Sequence, residues 1–179
     1  MKSILLIGYM CVGKTSVGRA LAKRLALPFY DLDKYIEDRY RCKVEDVFRE
    51  KGEEGFRELE HRMLQEVAAF ENVVVACGGG TPCFFDNMDY MRQNGTTLYM
   101  KAKPETIVAH LQISHRKRPL LDGLQGEALL RHIRTYIAER EPFYARSEYT
   151  INVDVLDDFS KINRLTEDIV QLLGLSTDC

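Results

Sequence analysis

The chain has 179 residues, 45% of them hydrophobic and 29% charged, which suits one globular domain with its own core. Its formal net charge of −2 excludes a protein whose whole surface is basic enough to bind nucleic acid. The five cysteines form no CxxC pair and show no metal-ligand spacing with the four histidines, so we expect reduced thiols rather than a disulfide framework or a zinc site.

The first predicted strand is the apolar run at residues 4–7, which ends at Gly8. A continuous apolar run is typical of a strand buried on both faces of a parallel sheet. The run is too short for a signal peptide, and no apolar segment reaches the about 20 residues needed to span a bilayer. We therefore expect a soluble, cytoplasmic protein without a membrane partner.

Beyond this strand, segments with helical periodicity alternate with short apolar segments. Helices are predicted over 14–25, 33–40, 44–51, 54–70, 86–93, 104–112, 127–141 and 158–173. Further strands are predicted over 29–31, 73–77, 97–100 and 149–153. This alternation indicates an α/β fold, with an open, mostly parallel sheet of about five strands flanked by helices, in one domain over residues 1–179. The basic, irregular segment 113–126 is long for a connection without a function, and we expect a mobile lid there.

The segment GYMCVGKT, from Gly8 to Thr15, matches the phosphate-binding loop GxxxxGK[ST]. A buried strand before it and an amphipathic helix after it disfavour a chance match. In such a loop, backbone N–H groups and the helix N-terminus face the phosphates, the lysine reaches the β- and γ-phosphates, and the Thr hydroxyl is a suitable Mg²⁺ ligand. We expect ATP and Mg²⁺ here, with nucleotide contacts at Gly8, Met10, Cys11, Val12, Gly13, Lys14, Thr15 and Ser16.

Asp31-Leu32-Asp33 closes the second predicted strand, and strand ends face ligands in open α/β sheets. Carboxylates two residues apart point to the same side of an extended segment. One carboxylate can hold metal-bound water while the other accepts a hydrogen bond from a hydroxyl to be phosphorylated. Alternatively, Asp33 caps the helix that follows, which would not exclude the functional role.

Three further segments bear on the acceptor. In Phe56-Arg57-Glu58-Leu59-Glu60, an arginine fork could bind a carboxylate with Glu60 holding it, although an exposed ion pair of little energetic weight is the plainer interpretation. The triplet Gly78–Gly80 would let a substrate lie against backbone N–H groups. The basic run 115–118, followed by Pro-Leu-Leu, is either a solvated loop or a lid that brings an arginine to the transferred phosphoryl group.

In order and spacing, these segments, with Glu-Arg-Glu-Pro-Phe-Tyr at 139–144, resemble the shikimate kinase family from Ile4 to about Asp154. The resemblance implies transfer of the ATP γ-phosphate to the shikimate 3-hydroxyl, in the pathway to chorismate and aromatic amino acids. It implies substrate-binding helices within about 32–62 and the lid near 113–126. The roles implied are catalysis by Asp33, Lys14 and Arg118; nucleotide binding also by Arg118; metal binding by Thr15 and Asp31; and shikimate binding by Asp33, Arg57, Gly78, Gly79, Gly80 and Arg140.

The chain departs from the family at one position. Many members carry an arginine seven residues before the lid arginine, against the adenine base, and here that position is Leu111. We expect His110 or Arg116 to contact adenine instead, with the loop at 154–158 as the other wall.

Two other functions stay open at this point. A related kinase would act on gluconate or a nucleoside monophosphate, and a non-catalytic module would bind ATP only to switch a partner surface. The absence of an Asn-Lys-x-Asp base-recognition sequence disfavours a GTPase. We expect a small-molecule substrate, no nucleic-acid partner, and a monomer.

Overall fold

The computed structural model describes residues 2–114, 121 and 123–175. Its strands are β1 (Ser3–Ile7), β2 (Phe29–Asp31), β3 (Val74–Ala76), β4 (Gly95–Ala102) and β5 (Tyr149–Val153). Its helices are α1 (Lys14–Arg24), α2 (Leu32–Tyr40), α3 (Val44–Ala68), a short 3₁₀ helix (Thr81–Cys83), α4 (Asn87–Asn94), α5 (Pro104–Ile113), α6 (Gly126–Tyr144) and α7 (Phe159–Leu172).

The described strands form one five-stranded sheet in the order β2-β3-β1-β4-β5, with every neighbouring pair parallel. This confirms the predicted α/β fold. In β3, Ala76 pairs with Leu6 of β1 on one side and with Asp31 of β2 on the other. The carboxyl ends of these three strands therefore lie side by side, and the segments that follow them meet at one edge of the sheet.

The central strand β1 explains why the core has two parts. Its five residues are all buried, and successive side chains of a strand point to opposite faces. Leu5 and Ile7 join one hydrophobic cluster, with α2, α3 and α4, whereas Ile4 and Leu6 join a second cluster with α1, α5 and α7. The sheet is thus covered on both faces, as the continuous apolar run predicts.

The two helices predicted on either side of Gly52 are confirmed, because Gly52 has a non-helical φ of 69° and ψ of −174° and separates two helical segments within α3. The largest differences from the predicted elements concern one helix and one strand. Helix α6 continues past Pro142 to Tyr144, because Tyr144 is fully buried and its packing outweighs the proline. Strand β4 begins at Gly95, two residues before the predicted start, because it pairs along all of β1.

Candidate functional site

A cleft of about 380 Å³ lies at the carboxyl edge of the sheet. Three of the segments around it follow β1, β2 and β3, and the rest come from the end of α5, the loop after β5 and α7. Its walls are formed by Met10, Cys11, Gly13, Lys14, Thr15, Ser16, Asp31, Asp33, Ala76, Cys77, Gly78, Gly79, His110, Ile113, Ser114, Leu156 and Ile162. Of the eight residues from Gly8 to Ser16 predicted to contact nucleotide, six lie in these walls.

The other two, Gly8 and Val12, belong to the same loop but not to the cleft wall. Val12 is fully buried in the core, and its backbone N–H donates to the Tyr9 carbonyl. Lys14 begins α1, as predicted, and its Nζ donates to the carbonyl oxygens of Gly8 and Tyr9 at 2.8 Å each. The loop therefore curls around the lysine at the positive end of α1, which suits phosphate binding.

Gly8 is the loop position with the least space for a side chain. Its φ is 141°, and an added Cβ would lie 2.5 Å from the Met100 carbonyl oxygen. We expect Gly8→Ala to lower the free energy of unfolding by about 3 kcal/mol, because backbone strain and a backbone clash act together. Thermal unfolding measures this. Gly174→Ala is the matched control, since Gly174 also has positive φ but no atom within 4 Å of an added Cβ. An equal loss of stability in both variants would show that the clash at Gly8 contributes nothing.

Asp31 and Thr15 bring two hard oxygen atoms together. Thr15 Oγ1 donates to Asp31 Oδ2 at 2.7 Å, and Asp31 Oδ1 accepts from the Lys34 N–H at 3.4 Å. Within the described ranges, no cluster of three or more His, Cys, Asp or Glu residues could hold a metal ion. Two oxygen donors beside a phosphate loop fit Mg²⁺, which usually keeps water and phosphate oxygens as its other ligands.

Asp33 lies in the first turn of α2, so the prediction that it shares an extended segment with Asp31 was wrong. The prediction that Asp33 caps this helix was also wrong, because α2 begins at Leu32 and the capping side chain is Asp31. Both carboxylates still reach the cleft. A Cβ placed on Gly78 would lie 3.3 Å from Asp33 Oδ1, so the Asp33 carboxylate lies directly over the start of the glycine triplet.

Arg57 is buried, with 8% of its surface exposed, so the alternative of an exposed surface ion pair was wrong. Its Nη1 donates to Glu60 Oε2 at 2.7 Å and its Nη2 to Glu53 Oε1 at 3.3 Å, while Nε has no hydrogen-bond partner among the described residues. The guanidinium also lies 4.2 Å from the centroid of the Phe84 ring. A fork held in this way is rigid and only partly satisfied, which suits anion binding.

Glu60 holds Arg57 in place, as the sequence suggested. It is 1% exposed, and its second oxygen accepts from Thr81 Oγ1 at 2.6 Å. We expect Glu60→Ala to lower the free energy of unfolding by about 3 kcal/mol, because a buried cation loses its partner. Chemical denaturation measures this. Glu58→Ala is the control on the same helix, since Glu58 is exposed. A comparable loss of stability in that variant would show that the Arg57–Glu60 ion pair does not stabilise the fold.

Arg140 reaches the middle of the triplet. Its Nη1 lies 3.6 Å from the position of a Cβ on Gly79. Its guanidinium is 5.3 Å from the Tyr136 ring centroid and 5.8 Å from that of Tyr9. Gly80 in turn has no room for a side chain, because an added Cβ would lie 2.6 Å from Arg57 Nη2. Three consecutive glycines thus face one carboxylate and two guanidinium groups, from Asp33, Arg140 and Arg57.

Two residues near this triplet were not predicted from the sequence. Burial raises the pKa of the Cys83 thiol to about 11, although Arg140 and Arg57 both act to lower it, so both cations lie near this thiol. Tyr9 is buried, its hydroxyl has no partner within the described part of the chain, and burial raises its pKa to about 12. Neither residue could be identified from the sequence, because the environment of each side chain depends on residues that are distant in the chain.

Part of the cleft wall is apolar. Leu156, from the predicted wall at 154–158, lies in it together with Ile113 and with Ile162, which belongs to α7 and was not predicted. Leu111, at the position of the family's arginine, is not a wall residue. Arg116 and the predicted lid arginine Arg118 lie outside the described residues, as does half of segment 113–126. His110 lies in the wall and both of its ring nitrogens are hydrogen-bonded to backbone groups.

Comparison with known proteins gives a consistent result. The sequence profile described as "Shikimate kinase" matches residues 10–172. Shikimate kinase of Bacteroides fragilis is 45% identical over 175 residues, covering 98% of both chains. The crystal structure of shikimate kinase from Bacteroides thetaiotaomicron is 44% identical and superposes with a TM-score of 0.94, over 97% of this chain and 99% of that one.

A second structure extends the likeness at lower identity. Shikimate kinase from Acinetobacter baumannii, solved in complex with shikimate, is 31% identical with a TM-score of 0.84, over 100% of this chain and 96% of that one. In the described part of this chain, no helix has the length and apolar character to span a membrane. The family follows from two findings: the profile matches most of the chain, and relatives above 40% identity align over almost its full length. The chain belongs to the shikimate kinase family.

Proposed function

We propose that the protein transfers the γ-phosphate of ATP to the 3-hydroxyl of shikimate, a step in the pathway to chorismate and aromatic amino acids. The observation that carries the proposal is the row of Asp33, Arg140 and Arg57 along the three glycines, beside a phosphate-binding loop. Shikimate has a carboxylate at one end and hydroxyls at the other. Two guanidinium groups suit the carboxylate, and an aspartate suits the hydroxyls.

In this proposal Asp33 accepts a hydrogen bond from the acceptor hydroxyl and orients or deprotonates it. Arg57 and Arg140 clamp the carboxylate, and Gly78, Gly79 and Gly80 complete the pocket. Lys14 and the loop from Gly8 to Ser16 bind the phosphates. Arg118, on the proposed lid, would neutralise charge on the transferred group and help to exclude water. Positioning and charge neutralisation provide most of the acceleration.

Thr15 and Asp31 would hold Mg²⁺, since their oxygens are in hydrogen-bond contact at the phosphate loop. When bound, the ion would supply positive charge against the phosphate oxygens. The proposal includes one kinase domain over residues 1–179, substrate-binding helices within about 32–62, and a lid near 113–126. It also includes a monomeric, cytoplasmic enzyme that acts on a small molecule and has no nucleic-acid or membrane partner.

A coupled assay of ADP release tests the acceptor directly. Shikimate, gluconate and several nucleoside monophosphates are offered separately with ATP and Mg²⁺. We expect turnover with shikimate to exceed that with any other acceptor by at least about a hundredfold in kcat/KM, because its ring fixes the carboxylate relative to the acceptor hydroxyl, whereas gluconate is a flexible chain and a nucleotide has a phosphate instead of the carboxylate. Faster turnover of gluconate or a nucleotide would refute the acceptor, and ATP binding without any turnover would favour the non-catalytic module.

A further inference from the structure

His110, in the last turn of α5, joins two walls of the cleft that are far apart in the chain. Its Nδ1 lies 2.7 Å from the carbonyl oxygen of Cys11, in the phosphate loop. Its Nε2 lies 2.8 Å from the backbone nitrogen of Leu156, in the loop after β5. The side chain is buried, with only 8% of the residue exposed. Both bonds are therefore shielded from competition with water.

The partners fix the chemical state of the ring. A carbonyl oxygen can only accept a hydrogen bond, and a backbone N–H can only donate one. Nδ1 must therefore carry the proton and Nε2 must present its lone pair. The ring that satisfies both partners is the neutral one protonated at Nδ1, since a second proton at Nε2 would face the Leu156 N–H.

Both partners belong to surfaces that a nucleotide would touch. Cys11 has φ 61°, the left-handed region, which is unfavourable for a residue with a Cβ and must be held by its surroundings. The Leu156 side chain packs on the same loop, because a Cβ placed on Gly13 would lie 2.7 Å from Leu156 Cδ1. His110 thus restrains the loop both directly and through Leu156.

We infer that His110 is a positioning residue for nucleotide binding, which fixes the phosphate loop and the loop after β5 relative to each other before ATP arrives. The inference rests on the proposed function only in taking the cleft as an ATP site. It does not depend on the acceptor. The two bonds go to Cys11 and Leu156, neither of which provides the atoms nearest the glycine triplet, so we expect shikimate binding to change little.

The first test is His110→Phe, which keeps a planar ring and removes both bonds. We expect the KM for ATP to rise at least about tenfold, because two buried backbone groups lose their partners. The KM for shikimate should stay within about twofold, since its contacts are untouched. Calorimetric titration with ATP in the absence of shikimate should show the same loss of affinity. An unchanged affinity for ATP would overturn the inference.

Two further variants separate positioning from general stability. His110→Asn keeps a donor near the Cys11 carbonyl, and it should recover part of the affinity lost in His110→Phe. Ile107→Ala, a fully buried position on the same helix, removes core packing without touching either bond. It should lower the melting temperature and leave the KM for ATP unchanged. If Ile107→Ala weakens ATP binding as much as His110→Phe, or if both Michaelis constants rise together in His110→Phe, His110 is only structural.

The outcomes also separate this inference from the proposed function. A wild-type protein that binds ATP but does not phosphorylate shikimate refutes the acceptor and leaves the calorimetric comparison valid. A wild-type protein that phosphorylates shikimate, together with a His110→Phe variant of equal ATP affinity, refutes only the role of His110.

Discussion

Replacing Asp33 by Asn should lower kcat by about a thousandfold, because the amide keeps the shape of the side chain but cannot accept the proton of the acceptor hydroxyl. Asp33 Oδ1 lies over Gly78, in the same cleft as Lys14 and Thr15. The substitution removes a charge at the acceptor side and leaves the phosphate loop intact. ATP affinity should therefore stay within about twofold of wild type, as measured by calorimetry.

Asp38→Asn is the matched control for this variant. Asp38 lies on the same helix and is exposed, and its one described ion pair is with Lys34 at the surface. The Asp38→Asn variant should therefore have the kcat of the wild type. Turnover of Asp33→Asn close to wild type would refute a catalytic role for Asp33. A matched loss in both variants would instead point to a disturbed helix.

Removing the Arg57 side chain should raise the KM for shikimate by about a hundredfold, since charge-assisted hydrogen bonds to a carboxylate are each worth about 1.5–3 kcal/mol. The KM for ATP should stay near its wild-type value, because Arg57 does not line the cleft that contains the phosphate loop. Steady-state kinetics with each substrate varied in turn measures both constants.

Arg57→Ala also leaves Glu60 buried without its cation, so loss of stability must be separated from loss of binding. Arg57→Lys keeps the charge beside Glu60 but lacks the planar fork, and its shikimate KM should rise about tenfold in a stably folded protein. Arg62→Ala, at an exposed position of the same helix, should match wild type in both constants. An unchanged shikimate KM in both Arg57 variants would show that this arginine serves only the fold.

The phosphate loop and the parallel α/β sheet were predictable from the sequence because both depend on local patterns. Strand β1 is a continuous apolar run, and the spacing of glycines, lysine and threonine after it is a short-range requirement for binding phosphate. Gly52 was also recognised as a break, since its left-handed φ is a property of the glycine itself. These features need no information about distant residues.

The acceptor side was less accessible to direct reasoning from residue types. Arg57 looked like a surface ion pair, and the buried environment provided by Glu60, Phe84 and Gly80 could not be seen from its own helix. Arg140 looked like an ordinary helix end and was identified only by resemblance to the shikimate kinase family. In the structure, the end of α6 that carries Arg140 is attached to the glycine triplet by Tyr144, whose hydroxyl donates to the Gly79 carbonyl.

The sequence by itself predicted the phosphate-binding loop, the alternation of strands and helices, and, through family resemblance, the family. The tertiary structure decided the strand order, the capping role of Asp31, the burial of Arg57, and the link from His110 to Cys11 and Leu156. The physical reason is sequence separation. A turn, a cap or a periodic face is set by neighbours within a few residues, whereas His110 lies 99 residues from Cys11 and 46 from Leu156, and only packing of the whole sheet brings them together.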